Sequence, residues 1–139
     1  MLKIKYLILT RNYDDYLNQI VDFYKPKYSK VFNDKTVINS TIICLALIND
    51  QIVGAVRALS DLSRHAIIVD LMVEEKYRNQ GIGKRLLSNV VCELQKSKVA
   101  NISLTTEPNC EKLVDFYRKN GFKSLSGSTH MIFNSTDKI

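Results

Sequence analysis

Arg78-Asn79-Gln80-Gly81-Ile82-Gly83-Lys84-Arg85 sets two glycines among three cations in one short segment. That combination suits anion binding. Glycine lets a phosphate reach the backbone where a Cβ would stand in the way. The first N–H groups of a helix have no intrahelical partner and carry partial positive charge. Arg78, Lys84 and Arg85 add full charges around them. The flanking residues say that a helix starts here. Ala66 to Val73 is an apolar, β-branched run broken only by Asp70, the pattern of a strand covered on both faces. Ile82, Leu86, Leu87, Val90, Val91 and Leu94 then recur at helical spacing. The segment is therefore strand, glycine loop, helix. The competing reading is a strand–helix connection whose glycines serve the turn alone.

Two familiar phosphate loops can be tested against it. A Walker loop, G-x-x-x-x-G-K-[ST], would put Arg78 at its first glycine and Arg85 at its hydroxyl position. The dinucleotide fingerprint, G-x-G-x-x-G, would put Leu86 at its third glycine. Neither fits. What remains, Arg78-x-x-Gly81-x-Gly83 after a buried strand, resembles the acyl-CoA pyrophosphate loop of the GNAT superfamily of N-acetyltransferases. A second segment, Phe116-Tyr117-Arg118-Lys119-Asn120-Gly121-Phe122, resembles the F-Y-x-K-x-G-F segment of the same enzymes, and Thr106-Glu107-Pro108 precedes its helix as in some members. With the element order, the resemblance covers residues 1 to 133.

The resemblance implies acetyl transfer from acetyl-CoA, as co-substrate, to a primary amine within a ternary complex. It assigns the pyrophosphate to Arg78, Asn79, Gln80, Gly81, Ile82, Gly83 and Lys84. The backbone of Leu71, Met72 and Val73 would pair with the pantetheine arm and hold the acetyl carbonyl, and Asn109 would lie near that arm. Tyr117 falls where the family often has a general acid. A phenol of pKa about 10 is protonated at neutral pH and can donate to a thiolate of pKa about 8.5. Read without the family, Leu113, Val114, Phe116 and Tyr117 also fit a helix face with a core tyrosine.

The general base is the open position. An alkyl ammonium of pKa ~10.4 is less than about 0.1% neutral at pH 7 and must lose a proton before attack. Ile67 and Val69, where some relatives of this kind carry glutamate, are apolar. Asp70 and Glu107 are the candidates. The alternatives for them are a structural carboxylate tied to nearby backbone and a helix cap. A cysteine acyl-enzyme through Cys110 is disfavoured, because no pattern ties His65 or His130 to it.

The elements that must position these residues follow from periodicity. Lys3 to Leu9 alternates as a strand, and Asn12 to Asp15 caps a helix with Tyr16, Leu17, Ile20, Val21 and Tyr24 on one face. Pro26 should end or kink that helix. Tyr28 to Phe32 is a second short helix and Asn33 to Lys35 a break. Thr41 to Ile48 and Ile52 to Leu59 form a hairpin around Asn49-Asp50-Gln51. After the central strand and helix come a strand at Asn101 to Thr106, a helix from Asn109 to Lys119 stopped by Asn120-Gly121, and strands at Phe122 to Leu125 and Thr129 to Phe133. The order β-α-α-β-β-β-α-β-α-β-β predicts a single α/β domain of the GNAT fold. Its mixed sheet would have about seven strands, flanked by about four helices. The tail after Asn134 should fray.

The chain of 139 residues is 45% hydrophobic, enough for one real core and no membrane span. The N-terminus has no apolar h-region, and Cys44, Cys92 and Cys110 lack metal-ligand spacing. A reduced cytoplasm and no metal are expected, with Cys44 and Cys92 in the core. The net charge of +6 is scattered, which argues against nucleic acid as the partner and suits a polyanionic co-substrate. The acceptor is a small-molecule amine or a protein or peptide amine; a homodimer is compatible with the sequence. The alternative function is a non-catalytic acyl-CoA sensor on the same scaffold.

Overall fold

A computed structural model of the chain describes residues 3–106 and 109–133, the side chain of Lys30 excepted. It divides after Thr105 into two compact units.

The first unit is built on a five-stranded sheet in the order β1 (Lys5–Leu9), β2 (Ile42–Ile48), β3 (Gln51–Ser60), β4 (His65–Val73) and β5 (Asn101–Ser103). The first four strands pair antiparallel, and β4 pairs β5 in parallel. The β2–β3 hairpin closes through Asn49 (φ 51°) and Asp50 (φ 63°). A two-residue hairpin turn needs a positive φ at both positions, and Asn and Asp tolerate it best after glycine.

Alternation along the strands sends their side chains to two faces. Ile43, Leu45, Leu47 and Ala55 join a core with Ile20, Val21, Tyr24, Phe32 and Val37. These come from α1 (Leu17–Tyr28), α2 (Asp34–Ile38) and the turn between them. The other face receives Ile82, Leu86, Leu87, Val90 and Leu94 of α3 (Ile82–Lys96), all buried. Each such side chain contributes about 1.5–3 kcal/mol when fully buried. Gly54 permits the close approach. A Cβ there would stand 3.0 Å from Leu86 Cδ1 and 3.1 Å from Ile82 Cγ2.

Several expectations are corrected. Pro26 does not end α1, which runs on to Tyr28. Proline removes one helix bond, and the end of the helix is anchored by Tyr28, whose OH donates to Asp70 Oδ1 (2.7 Å). Asn33 starts α2 instead of breaking the chain. Its Oδ1 accepts from Lys35 N–H (3.0 Å), and its own N–H donates to Thr36 Oγ1 (3.2 Å), a reciprocal cap. Cys92 is exposed, whereas Cys44 is buried as expected.

The second unit carries α4 (Glu111–Lys119). The two strands expected after it are not formed among the described residues, so the sheet has five strands and not about seven. Beyond Phe122 these residues are exposed as far as Phe133. Strand propensity without a face to bury does not make a strand.

Candidate active site

The glycine loop forms as expected. A 3-10 turn over Glu75–Tyr77 leads to Asn79 (φ 64°) and Gly81 (φ 83°), both left-handed. Gly81 is the N-cap of α3, with no side-chain cap bond. The first helix bond runs from Arg85 N–H to Gly81 O (3.0 Å), so the N–H groups of Ile82, Gly83 and Lys84 are the helix's unsatisfied donors. Nothing lies within 4 Å of where a Gly81 Cβ would stand. Arg78 folds back to β4, donating from Nε to Val73 O (2.9 Å). Lys84 and Arg85 are exposed at the same end, with Arg85 over the Tyr6 ring at 5.1 Å. Three free amides, room above a glycine and a cluster of cations make a site that fits a pyrophosphate.

Beside the loop, β4 offers a backbone edge. It pairs with β3 from Ala66 to Val73 but with β5 only from His65 to Ile67. Beyond Ile67 its second edge has no strand partner among the described residues, and Leu71, Met72 and Val73 lie along it, half-buried. A bulge re-aims this stretch. Ala55 pairs Met72 and Arg57 pairs Val69, so Asp70 and Leu71 together oppose Val56. Asp70 takes φ 56°.

The carboxylate and the backbone carbonyl of Asp70 are both held. Arg57 donates to its Oδ2 from Nε (2.9 Å) and Nη2 (2.8 Å), and Tyr28 OH donates to its Oδ1 (2.7 Å). Tyr24 OH donates to its backbone carbonyl (2.6 Å). Arg57 is itself buried and donates from Nη1 to Ser40 Oγ (2.8 Å). Burial first, and then the bond to the Asp70 carboxylate, pushes the Tyr28 phenol well up. Tyr24 is raised mainly by burial, with the Asp70 charge adding to it.

In the second unit, α4 ends in a Schellman motif. Phe122 N–H donates to Tyr117 O (3.0 Å) and Gly121 N–H to Arg118 O (3.2 Å), with Gly121 at φ 96°. The Phe122 ring packs edge-on against Tyr117 at 6.1 Å, the apolar contact that accompanies this cap. The Phe116–Phe122 segment is thus a capped helix end that fixes the Tyr117 ring between Phe116 and Phe122. Burial raises the Tyr117 phenol above its ordinary value of 10.0. Asn109 is exposed ahead of α4, and Cys110 is its N-cap. Glu107 lies outside the described residues. Among the described residues, no group of three or more His, Cys, Asp or Glu is placed to hold a metal, and no helix is long and apolar enough to cross a membrane.

The sequence matches the model of the Acetyltransferase (GNAT) family over residues 9–122. The chain belongs to that family. A GNAT-family acetyltransferase from Streptococcus pneumoniae is similar in structure, with a TM-score of 0.79 and 29% identity, covering 99% of this chain and 100% of that one. N-acetyltransferase ycf52 of Porphyra purpurea is 32% identical over 130 residues, 87% of this chain and 71% of its own length. The chloroplastic GCN5-related N-acetyltransferase 2 of Arabidopsis thaliana is 36% identical over 74 residues, 53% of this chain. The chain spans 28% of that relative's length. Family membership implies acyl transfer, and the mixed α/β architecture is that of its GNAT neighbours.

Three residues that shape this GNAT site carry no signature in a motif. Gly54 is a lone strand glycine, Arg57 a lone cation in an apolar strand, and Tyr28 one tyrosine of a helix face. A usable signal did exist for Arg57. A cation and a carboxylate, each isolated in adjacent apolar strands, need each other.

Proposed function

We propose that the protein transfers an acetyl group from acetyl-CoA directly to a primary amine. The observation that carries the reading is the free N-terminus of α3 at Gly81 beside the Leu71–Val73 edge, which has no strand partner on its second side among the described residues. One end of that arrangement suits a pyrophosphate and the other an extended amide chain.

Under this reading Arg78, Asn79, Gln80 and the amides of Gly81 to Lys84 hold the pyrophosphate. The Leu71–Val73 edge pairs with the pantetheine amides and holds the acyl carbonyl, and Asn109 is assigned to the same arm. Acetyl-CoA supplies the thioester. Tyr117 gives its proton to the departing sulfur, a task for which a phenol kept neutral by burial is suited. The amine proton goes to Glu107 or to water.

The test is a CoA melting series together with a free-thiol assay across a panel of small and peptide amines. The expected result is a rise in melting temperature with CoA and thiol release with one class of amine. No stabilisation by millimolar CoA would end the proposal. Stabilisation without thiol release from any amine would favour a sensor on the same fold.

A further inference from the structure

Asp70 stands in a conformation that a non-glycine residue seldom adopts, and four hydrogen bonds from two elements keep it there. We infer that Asp70 is a positioning residue, clamped by Arg57, Tyr28 and Tyr24 so that the β4 bulge presents the Leu71–Val73 edge to the acyl donor. The inference rests on the reading of that edge given above.

A left-handed residue inside a strand, even an aspartate, is uncommon, and here the surroundings fix it. Here the backbone carbonyl is tied by Tyr24 OH at 2.6 Å, and the carboxylate by Tyr28 OH at 2.7 Å and by two Arg57 donors at 2.8 and 2.9 Å. The clamp is anchored in its turn. Arg57 Nη1 reaches Ser40 Oγ, Ser40 Oγ donates to Thr36 O (2.8 Å), and Tyr13 OH donates to Ser40 O (2.7 Å). The Arg57 guanidinium also lies 5.3 Å from the centre of the Phe32 ring. The helical layer of α1 and α2 is thereby tied to the bulge, and through it to the backbone edge that starts at the next residue.

The same contacts argue against Asp70 as the base. Its carboxylate neutralises a buried guanidinium. Both of its oxygens already accept from Arg57 and Tyr28. The bulge itself supplies the positional logic. Without the extra residue, Met72 and Val73 would exchange faces.

The test uses Asp70→Asn, Tyr28→Phe, Arg57→Lys, Asp70→Ala and Asp70→Gly in the full chain. Acetyl-CoA KM, kcat and the pH profile of kcat/KM are measured for each. Removing one charge-linked hydrogen bond should raise acetyl-CoA KM about tenfold, with a smaller fall in kcat. Tyr28→Phe, which deletes one hydroxyl and cannot delete a base, should move in the same direction as Asp70→Asn, and the acidic limb of the profile should persist in both. Asp70→Gly should recover part of the KM lost in Asp70→Ala, because glycine takes the positive φ without a clamp. Should Arg57→Lys fail to fold, Tyr28→Phe and the Gly/Ala pair carry the test.

Loss of the acidic limb with a roughly thousandfold fall in kcat, confined to the Asp70 variants, would make Asp70 the base and overturn the inference. Wild-type kinetics in Tyr28→Phe, or equal defects in Asp70→Gly and Asp70→Ala, would also overturn it. A wild-type chain that neither binds CoA nor releases thiol would instead sink the functional reading on which it rests.

Discussion

Gly54 of β3 lies directly beneath Leu86 of α3, at a separation that a methyl group would crowd. A Cβ on Gly54 would stand 3.0 Å from Leu86 Cδ1 and 3.1 Å from Ile82 Cγ2. The helix that carries the free amides of the glycine loop is therefore set against the sheet by a residue without a side chain. Gly54→Ala should destabilise the protein by about 1 kcal/mol, the overpacking cost outweighing the gain from a stiffer unfolded chain. Because Ile82 begins α3, CoA affinity should fall as well. Urea unfolding and calorimetric CoA titration measure the two effects.

Gly81 has the left-handed conformation at the head of that helix, and its Cβ position is open. The cost of a side chain here is conformational and falls on the ligand. Gly81→Val should cost about 1–2 kcal/mol of stability from the backbone alone. It should also weaken CoA binding more than Gly81→Asn, since asparagine tolerates the conformation best after glycine. Thermal melts with and without CoA, run on both variants, give the comparison.

Tyr117 is held between Phe116 and Phe122 with its phenol raised by burial. As a general acid it must be protonated to act. Its contribution is therefore present below its folded pKa and lost as pH rises through it. Burial places that loss above the ordinary value of 10.0. Tyr117→Phe should lower kcat by about a hundredfold or more while leaving CoA affinity unchanged, and the alkaline limb of kcat should disappear. A pH series on both proteins with the best amine checks this.

Alkali should unfold the protein through its buried weak acids. Burial, with a smaller push from the Glu93 charge, raises the Cys44 thiol from 9.0 to about 12. Tyr13, Tyr24 and Tyr28 are also raised, each chiefly by burial. A group raised in the folded state contributes stability that is full below its unfolded pKa and lost as pH climbs towards the folded one. Stability with respect to these groups should hold up to about pH 9 and then fall steadily towards pH 12. Cys44→Ala should flatten the first part of that fall. Urea midpoints across the range test the slope.

Much of the architecture was legible in the chain. The hairpin declared itself through Asn49-Asp50 between two β-branched runs, and α3 through its apolar spacing. Asn120-Gly121 announced the end of α4, because an αL cap needs a residue that tolerates it. The elements misread were those in which context overruled local preference. Pro26 sits in the last turn of a helix whose end is held by a distant carboxylate. Asn33 could equally break the chain or cap a helix. Residues 122–133 have strand propensity and, outside Phe122, no buried face.

The site divides along the same line. The sequence by itself determined the groups that are local in the chain. These are the strand, the glycine loop and the helix N-terminus, together with the helix end that carries Tyr117, since backbone donors and caps depend on near neighbours. Only the tertiary structure decided what Asp70 does. Its partners Arg57, Tyr28 and Tyr24 come from another strand and a distant helix, and no periodicity records a contact between them. The bulge is equally invisible beforehand. It arises from strand register, which is settled when β3 and β4 pair and the helical layer closes over them.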